Sequence, residues 1–89
     1  MIPVIIRSNL AGVHYGYMTK RLHGGGVRLE KARRIWEWQG AKTLSHAADA
    51  GFGTGTKIGP VGRIDVWDIQ EINYVSDHAA RVIDGLATW

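Results

Sequence analysis

Apolar and polar residues alternate with period two over much of this chain, which is what strands with one face on a core require. Residues 3–8 are β-branched and apolar and predict a first strand. Asn9-Leu10-Ala11-Gly12 then turns, and Val13, Tyr15 and Tyr17 alternate with His14, Gly16 and Met18 to predict a second. Gly24-Gly25-Gly26 breaks the pattern, and Val27-Arg28-Leu29 returns as the next arm of a hairpin. Residues 30–38 admit two readings. Glu-Lys-Ala-Arg-Arg favours helix and sets Leu29, Ala32 and Trp36 in line, while Ile35, Trp36 and Trp38 favour strand. The short run and the tryptophans at spacing two favour strand, with Arg34, Trp36 and Trp38 on one face and Arg33, Ile35 and Glu37 on the other.

Further along, residues 43–50 predict a short helix that Thr43 caps, with Leu44, Ala47 and Ala48 as its inner stripe and Gly51 just past its end. Residues 63–75 look extended. The odd phase between Ile69 and Ile72 suggests a bulge, or burial on both faces. Ser76 caps a last helix with Ala79, Val82, Ile83 and Leu86 as its apolar stripe. The expected fold class is α+β, mainly β: a small, partly open β-barrel or rolled antiparallel sheet of about five strands with two short helices.

Composition narrows this picture. With 89 residues and no repeat, residues 1–89 make a single domain. A domain this small buries a modest core, and self-association is one way to compensate. The absence of cysteine suits a reducing cytosol, the opening residues read as a strand and not as a signal peptide, and no apolar run approaches the roughly 20 residues of a membrane span. The net charge of +3 is unevenly placed. Residues 1–45 hold eight Lys or Arg against two acids (+6), and residues 46–89 hold three against six (−3). Such polarity suits an anionic partner, or a neighbouring copy's opposite charge.

Two segments carry candidate chemistry. Arg33, Arg34, Trp36, Trp38 and Lys42 combine guanidinium donors for phosphate with indole faces for stacking, the pairing a nucleotide site needs. The plainer alternative makes the tryptophans core or interface residues and the arginines solvated. Arg7, Ser8, Asn9 and His14 run from a strand end into a small-residue turn whose N–H groups can point together at an anion; the alternative is an ordinary turn. Residues 51–57 are glycine-rich but lack the spacing of a phosphate loop, and read as a flexible loop or a lid. Histidines 14, 23, 46 and 78 have no metal-ligand spacing, no nucleophile elbow exists, and Asp65 and Asp68 read as partners of the basic half. No enzyme, metal or cofactor is expected.

At these residues the chain resembles a family of short phage and prophage proteins. The resemblance rests on Val4-Ile5-Ile6-Arg7-Ser8, on residues 11–16, on the Arg-Arg-Ile-Trp-x-Trp-x-Gly-Ala pattern within residues 32–41, on Leu44-Ser45 and on residues 68–72. It implies a viral accessory or anti-defence protein in the cytoplasm of a host bacterium. The leading expectation is a homo-oligomer that sequesters a small anionic ligand, a nucleotide signal of bacterial immunity, between subunits. Arg33 and Arg34 then neutralise phosphate, Trp36 or Trp38 stacks, and Ser8, Asn9 and His14 donate or accept hydrogen bonds. The rivals are a module binding single-stranded nucleic acid and an inhibitor docking on a host protein.

Overall fold

The computed structural model describes residues 1–89 and places six strands and two helices in one unit. The strands are β1 (Ile2–Ser8), β2 (Gly12–Arg21), β3 (Val27–Glu37), β4 (Lys57–Ile58), β5 (Gly62–Val66) and β6 (Ile69–Tyr74). Helix α1 (Leu44–Ala50) lies between β3 and β4, and α2 (Asp77–Asp84) follows β6. All pairings are antiparallel, in the order β4-β3-β2-β1-β6, with β5 also on β3 beside β4. Neither helix is long and apolar enough to cross a membrane.

Residues 30–38 resolve as strand through Glu37, and the spacing that imitated a helix has a specific cause. Tyr15 pairs with Arg33 but Tyr17 with Glu30, so β3 carries an extra residue at this point, and Lys31 takes φ +50°. The bulge puts Leu29 and Ala32, three apart, on the same face of the sheet, and both are buried there. A second bulge occurs where Arg7 pairs with Glu71 and Ser8 with Ile69. That explains the odd phase of Ile69 and Ile72, which both pack on one core cluster.

The sheet buries both its faces. One carries Ile5, Tyr15 and Ile35 under α1 and α2, with Leu44, Phe52, Ala79 and Ile83 completing the layer. The other rolls around Val4, Ile6, Met18, Val27, Leu29, Ala32 and Val66. Residues 63–75 differ from the single extended stretch expected. Trp67 and Asp68, the latter at φ +58°, divide them into β5 and β6, which pair with opposite edges of the sheet and not with each other. The barrel thus stays open between these two strands. Its turns are tied together by Ser8 Oγ donating to the Trp67 carbonyl at 2.8 Å and by the Asn9 N–H reaching the Asp68 carbonyl at 3.3 Å.

Both helix starts follow the sequence reading. Thr43 Oγ1 accepts from the His46 N–H, and Ser76 Oγ from the Ala79 N–H. Gly51 ends α1 at φ +87°, with its Cα against Val82 of α2; a Cβ there would lie 2.6 Å from a Val82 methyl. The glycine-rich residues 51–57 form an anchored connection instead of a free loop. Phe52 is in the core, Gly53 and Gln39 share a backbone hydrogen bond of 2.7 Å, and buried Thr56 accepts from the Gln39 N–H.

Candidate functional site

Alternation along β1 sends Ile5 and Arg7 to the helix-covered face and Val4, Ile6 and Ser8 to the rolled one. The β1 strand outruns the core, so Arg7 projects beyond Ile5 at the open end of that face. Its cross-strand neighbour is Glu71, whose carboxylate lies 3.7 Å away, an ion contact longer than a hydrogen bond. Above them runs the link from β3 to α1. Trp38 has left the strand and turns its ring onto Phe52, with centroids 6.1 Å apart. Lys42 is fixed through its backbone N–H, which donates to His46 Nδ1 at 3.2 Å. Ser45, in the first turn of α1, reaches Asn73 of β6 at 3.2 Å.

Between these pieces lies a cleft of about 440 Å³, lined by Arg7, Glu71, Trp38, Lys42, Thr43, Leu44 and Ser45. Two cations face one carboxylate there, beside an indole and two hydroxyls. The volume is within the range of small-ligand sites. Arg7, Trp38 and Lys42, expected at a site from two separate segments, meet in this cleft.

The remaining candidates lie elsewhere. Arg33, expected to neutralise phosphate, is instead 4% exposed on the helix-covered face. Its Nε donates to the Gly59 carbonyl at 2.8 Å, Nη1 to the Ile83 carbonyl at 2.9 Å, and Nη2 to the Leu86 carbonyl at 2.8 Å and toward Thr88 Oγ1 at 3.4 Å. The charge sits at the negative end of the α2 dipole, and with four of its five N–H groups engaged inside the fold and its side chain buried it is not placed to meet an incoming phosphate. Ser8 is likewise consumed: buried, it donates to Trp67 and accepts from the Ala11 N–H at 3.2 Å. Asn9 is exposed at the turn.

His14 is 8% exposed and bonds the Ala11 carbonyl through Nε2 at 2.7 Å. Burial depresses its pKa, and the neighbouring Arg34 guanidinium adds to that, against a smaller opposing effect of the Ala11 carbonyl that ranks between them. Arg34 pairs with His14 in register, is exposed, and lays its guanidinium over Gly12, where a Cβ would stand 3.1 Å from Nη2. It joins none of the four ion pairs. Two residues on, Trp36 is 48% exposed and stacks obliquely on Trp89 at 5.4 Å, and Lys57 Nζ lies 5.0 Å from the Trp89 ring centre. Arg34 and Trp36 therefore form a second basic and aromatic surface, apart from the cleft.

Sequence reasoning missed Glu71, Thr43 and Ser45 as cleft residues, since only the β1–β6 register and the α1 cap bring them beside Arg7. It also missed a polar cluster at the opposite end of the helix-covered face. There Tyr15 and Tyr17 donate to the two carboxylate oxygens of Asp84 at 3.0 and 2.5 Å. Burial, then the hydrogen bonds to Tyr17 and Asp84, push the Tyr15 phenol far above its usual range. Asp65 does serve the basic half: Arg28 grips it in a two-pronged pair at 2.8 and 3.0 Å, which holds the carboxyl below the usual range.

No curated protein and no solved structure matches this chain. A family profile described as a domain of unknown function, DUF6948, matches residues 1–83. The chain belongs to that family, whose domain takes in every strand of the sheet and α2 nearly to its end.

Proposed function

We propose that this is a phage accessory protein of the anti-defence kind, which acts as a homo-oligomer and sequesters a small anionic ligand in the cleft between β1, β6 and α1. A nucleotide signal of host immunity has the matching chemistry. The observation that carries the reading is the convergence of Arg7, Lys42 and the Trp38 indole on one cleft of about 440 Å³. Arg7 presents a planar fork to a phosphate, Lys42 a second cation on a mobile stem, and Trp38 an apolar wall for a base. Glu71 accepts from donors on the ligand and limits the site to one net positive charge. No side chain here forms a nucleophile and base pair, which favours binding over turnover.

Calorimetric titration with cyclic nucleotides and ADP-ribose-type nucleotides tests this. At least one is expected to bind, and Arg7→Ala with Lys42→Ala is expected to weaken it. Loss of one charge-assisted bond at about 1.5–3 kcal/mol corresponds to roughly 10- to 150-fold. Silence across the panel refutes the reading.

A second reading is favoured by the Arg34, Trp36 and Trp89 surface, which has the cation and exposed indoles that unpaired bases stack on. Salt-sensitive binding of a single-stranded oligonucleotide, abolished by Arg34→Glu and untouched by changes at Arg7, identifies it.

A further inference from the structure

Strand β6 packs on β1 and α1 and on no other element to a comparable extent, which leaves its outer edge bare. The outward groups follow from the ladder. The Val75 N–H donates to the Pro3 carbonyl at 2.9 Å, so the alternation of antiparallel bonds turns Asn73 and Glu71 toward β1 and sends the N–H and C=O of Ile72 and Tyr74 outward. This edge has no proline, no lysine and no covering helix along its outer side, and the bulge before Glu71 leaves residues 71–74 in regular register with β1. It is flanked on one side by the cleft and on the other by a groove of about 350 Å³ that holds Arg21, Ile69, Ile72 and Tyr74. Apolar residues crowd the same end, with Tyr74 58% and Ile2 47% exposed.

We infer that β6 is a dimerisation strand that pairs antiparallel with β6 of a second copy, across a two-fold axis through Ile72. Charge selects the occupant and the register. An axis through Glu71 sets two carboxylates face to face, which is unfavourable. An axis through Ile72 pairs that residue with its own copy, sets Tyr74 opposite the partner's Gln70, and sets Glu71 opposite the partner's Asn73, an amide that can donate to it. No like charges meet, and each outward N–H and C=O of Ile72 and Tyr74 finds a partner. Tyr74 pairs with Val4 and so lies on the rolled face, where each ring meets the partner's groove of Ile69 and Ile72. Glu71 belongs to the cleft, so the partner's Asn73 completes the rim of each ligand site and the two clefts lie beside one axis. This pairing specifies the homo-oligomer of the proposed function, but its test needs no ligand and its outcome is separate from whether any nucleotide binds.

Sedimentation equilibrium on the full chain measures it. Two chains of 9.8 kDa each are expected to associate reversibly at micromolar to millimolar concentration. Tyr74→Lys, at an exposed position, is expected to shift the equilibrium to monomer while leaving the far-ultraviolet circular dichroism unchanged. Asn73→Glu sets like charges opposite twice per dimer and is expected to weaken association roughly two- to thirtyfold, whereas Asn73→Lys is expected to strengthen it by a similar factor. A monomer at all concentrations, a dimer indifferent to Tyr74→Lys, or weakening by both Asn73 variants overturns the proposal.

Discussion

Replacing Arg33 by methionine keeps most of the side chain's apolar volume and deletes its donors, and this isolates what a buried, acid-free cation does in a chain of 89 residues. Three backbone carbonyls accept from its guanidinium. The Ile83 carbonyl keeps the Leu86 N–H at 3.1 Å, but those of Gly59 and Leu86 lose their donor. An unsatisfied buried group costs about 1–3 kcal/mol, so the two together cost roughly 2–6 kcal/mol. Relief of the guanidinium's own desolvation offsets part of this and leaves a net loss of about 2–4 kcal/mol. Domains of this length are stable by roughly 4–13 kcal/mol, so the loss is a large share of the total. Urea unfolding, followed by circular dichroism, is the assay. With a slope of about 1 kcal/mol per molar, the midpoint is expected to fall by about 2–4 M. Arg33→Lys, which offers a single compact donor group, is expected to lose less and to remain measurable if the methionine variant does not fold. A midpoint for Arg33→Met within about 0.5 M of the parent refutes the claim that this guanidinium fastens the tail and the β4 region to α2.

The Tyr15 phenol is held protonated in the folded chain and titrates near 10 when unfolded, so its contribution is complete below about pH 10 and is lost as pH rises above that. Stability measured between pH 8 and 11 should therefore drop steeply in the parent and less steeply in Tyr15→Phe, which gives up about 1 kcal/mol at neutral pH; parallel curves would contradict the Asp84 cluster. Gly51→Ala meets both a positive φ and a Val82 methyl at 2.6 Å, and is expected to lose more than about 1 kcal/mol in the same urea assay. Adding Val82→Ala should recover the steric part only, which a double-mutant cycle reads directly.

Much of the fold was legible because period and caps survive into three dimensions. The alternation in β2, the strand reading of residues 30–38, Thr43 and Ser76 as caps, and the bulge near Ile69 all correspond to observed features. The partly open rolled sheet does too. What stayed hidden is pairing across distance. Nothing local distinguishes β5 and β6 from one bent strand, because the break at Trp67 and Asp68 depends on two edges of the sheet claiming the two halves. Nor does composition show that residues 51–57 are pinned, since the pin is Phe52 in a core assembled from both helices and four strands.

The site was legible as chemistry but not as geometry, and Arg33 and Arg34 show why. They are adjacent and identical in kind, yet alternation sends one under α2, where three carbonyls consume it, and the other into solvent over Gly12. Which arginine goes inward is set by phase, and the phase of β3 is reset by the extra residue near Lys31, a displacement that side-chain identity does not announce. Trp36 and Trp38 part for a related reason: β3 ends at Glu37, so the second indole leaves the pleat and folds onto Phe52 at the cleft, while the first stays on the opposite face with Trp89. The motif that looked like one binding segment is thus divided by the sheet. Its cleft half acquires Arg7 and Glu71 only through the β1–β6 register. A ligand site in this fold belongs to the strand pairing rather than to any stretch of sequence, and substitutions that slip β6 by one residue should abolish it while leaving every cleft side chain present.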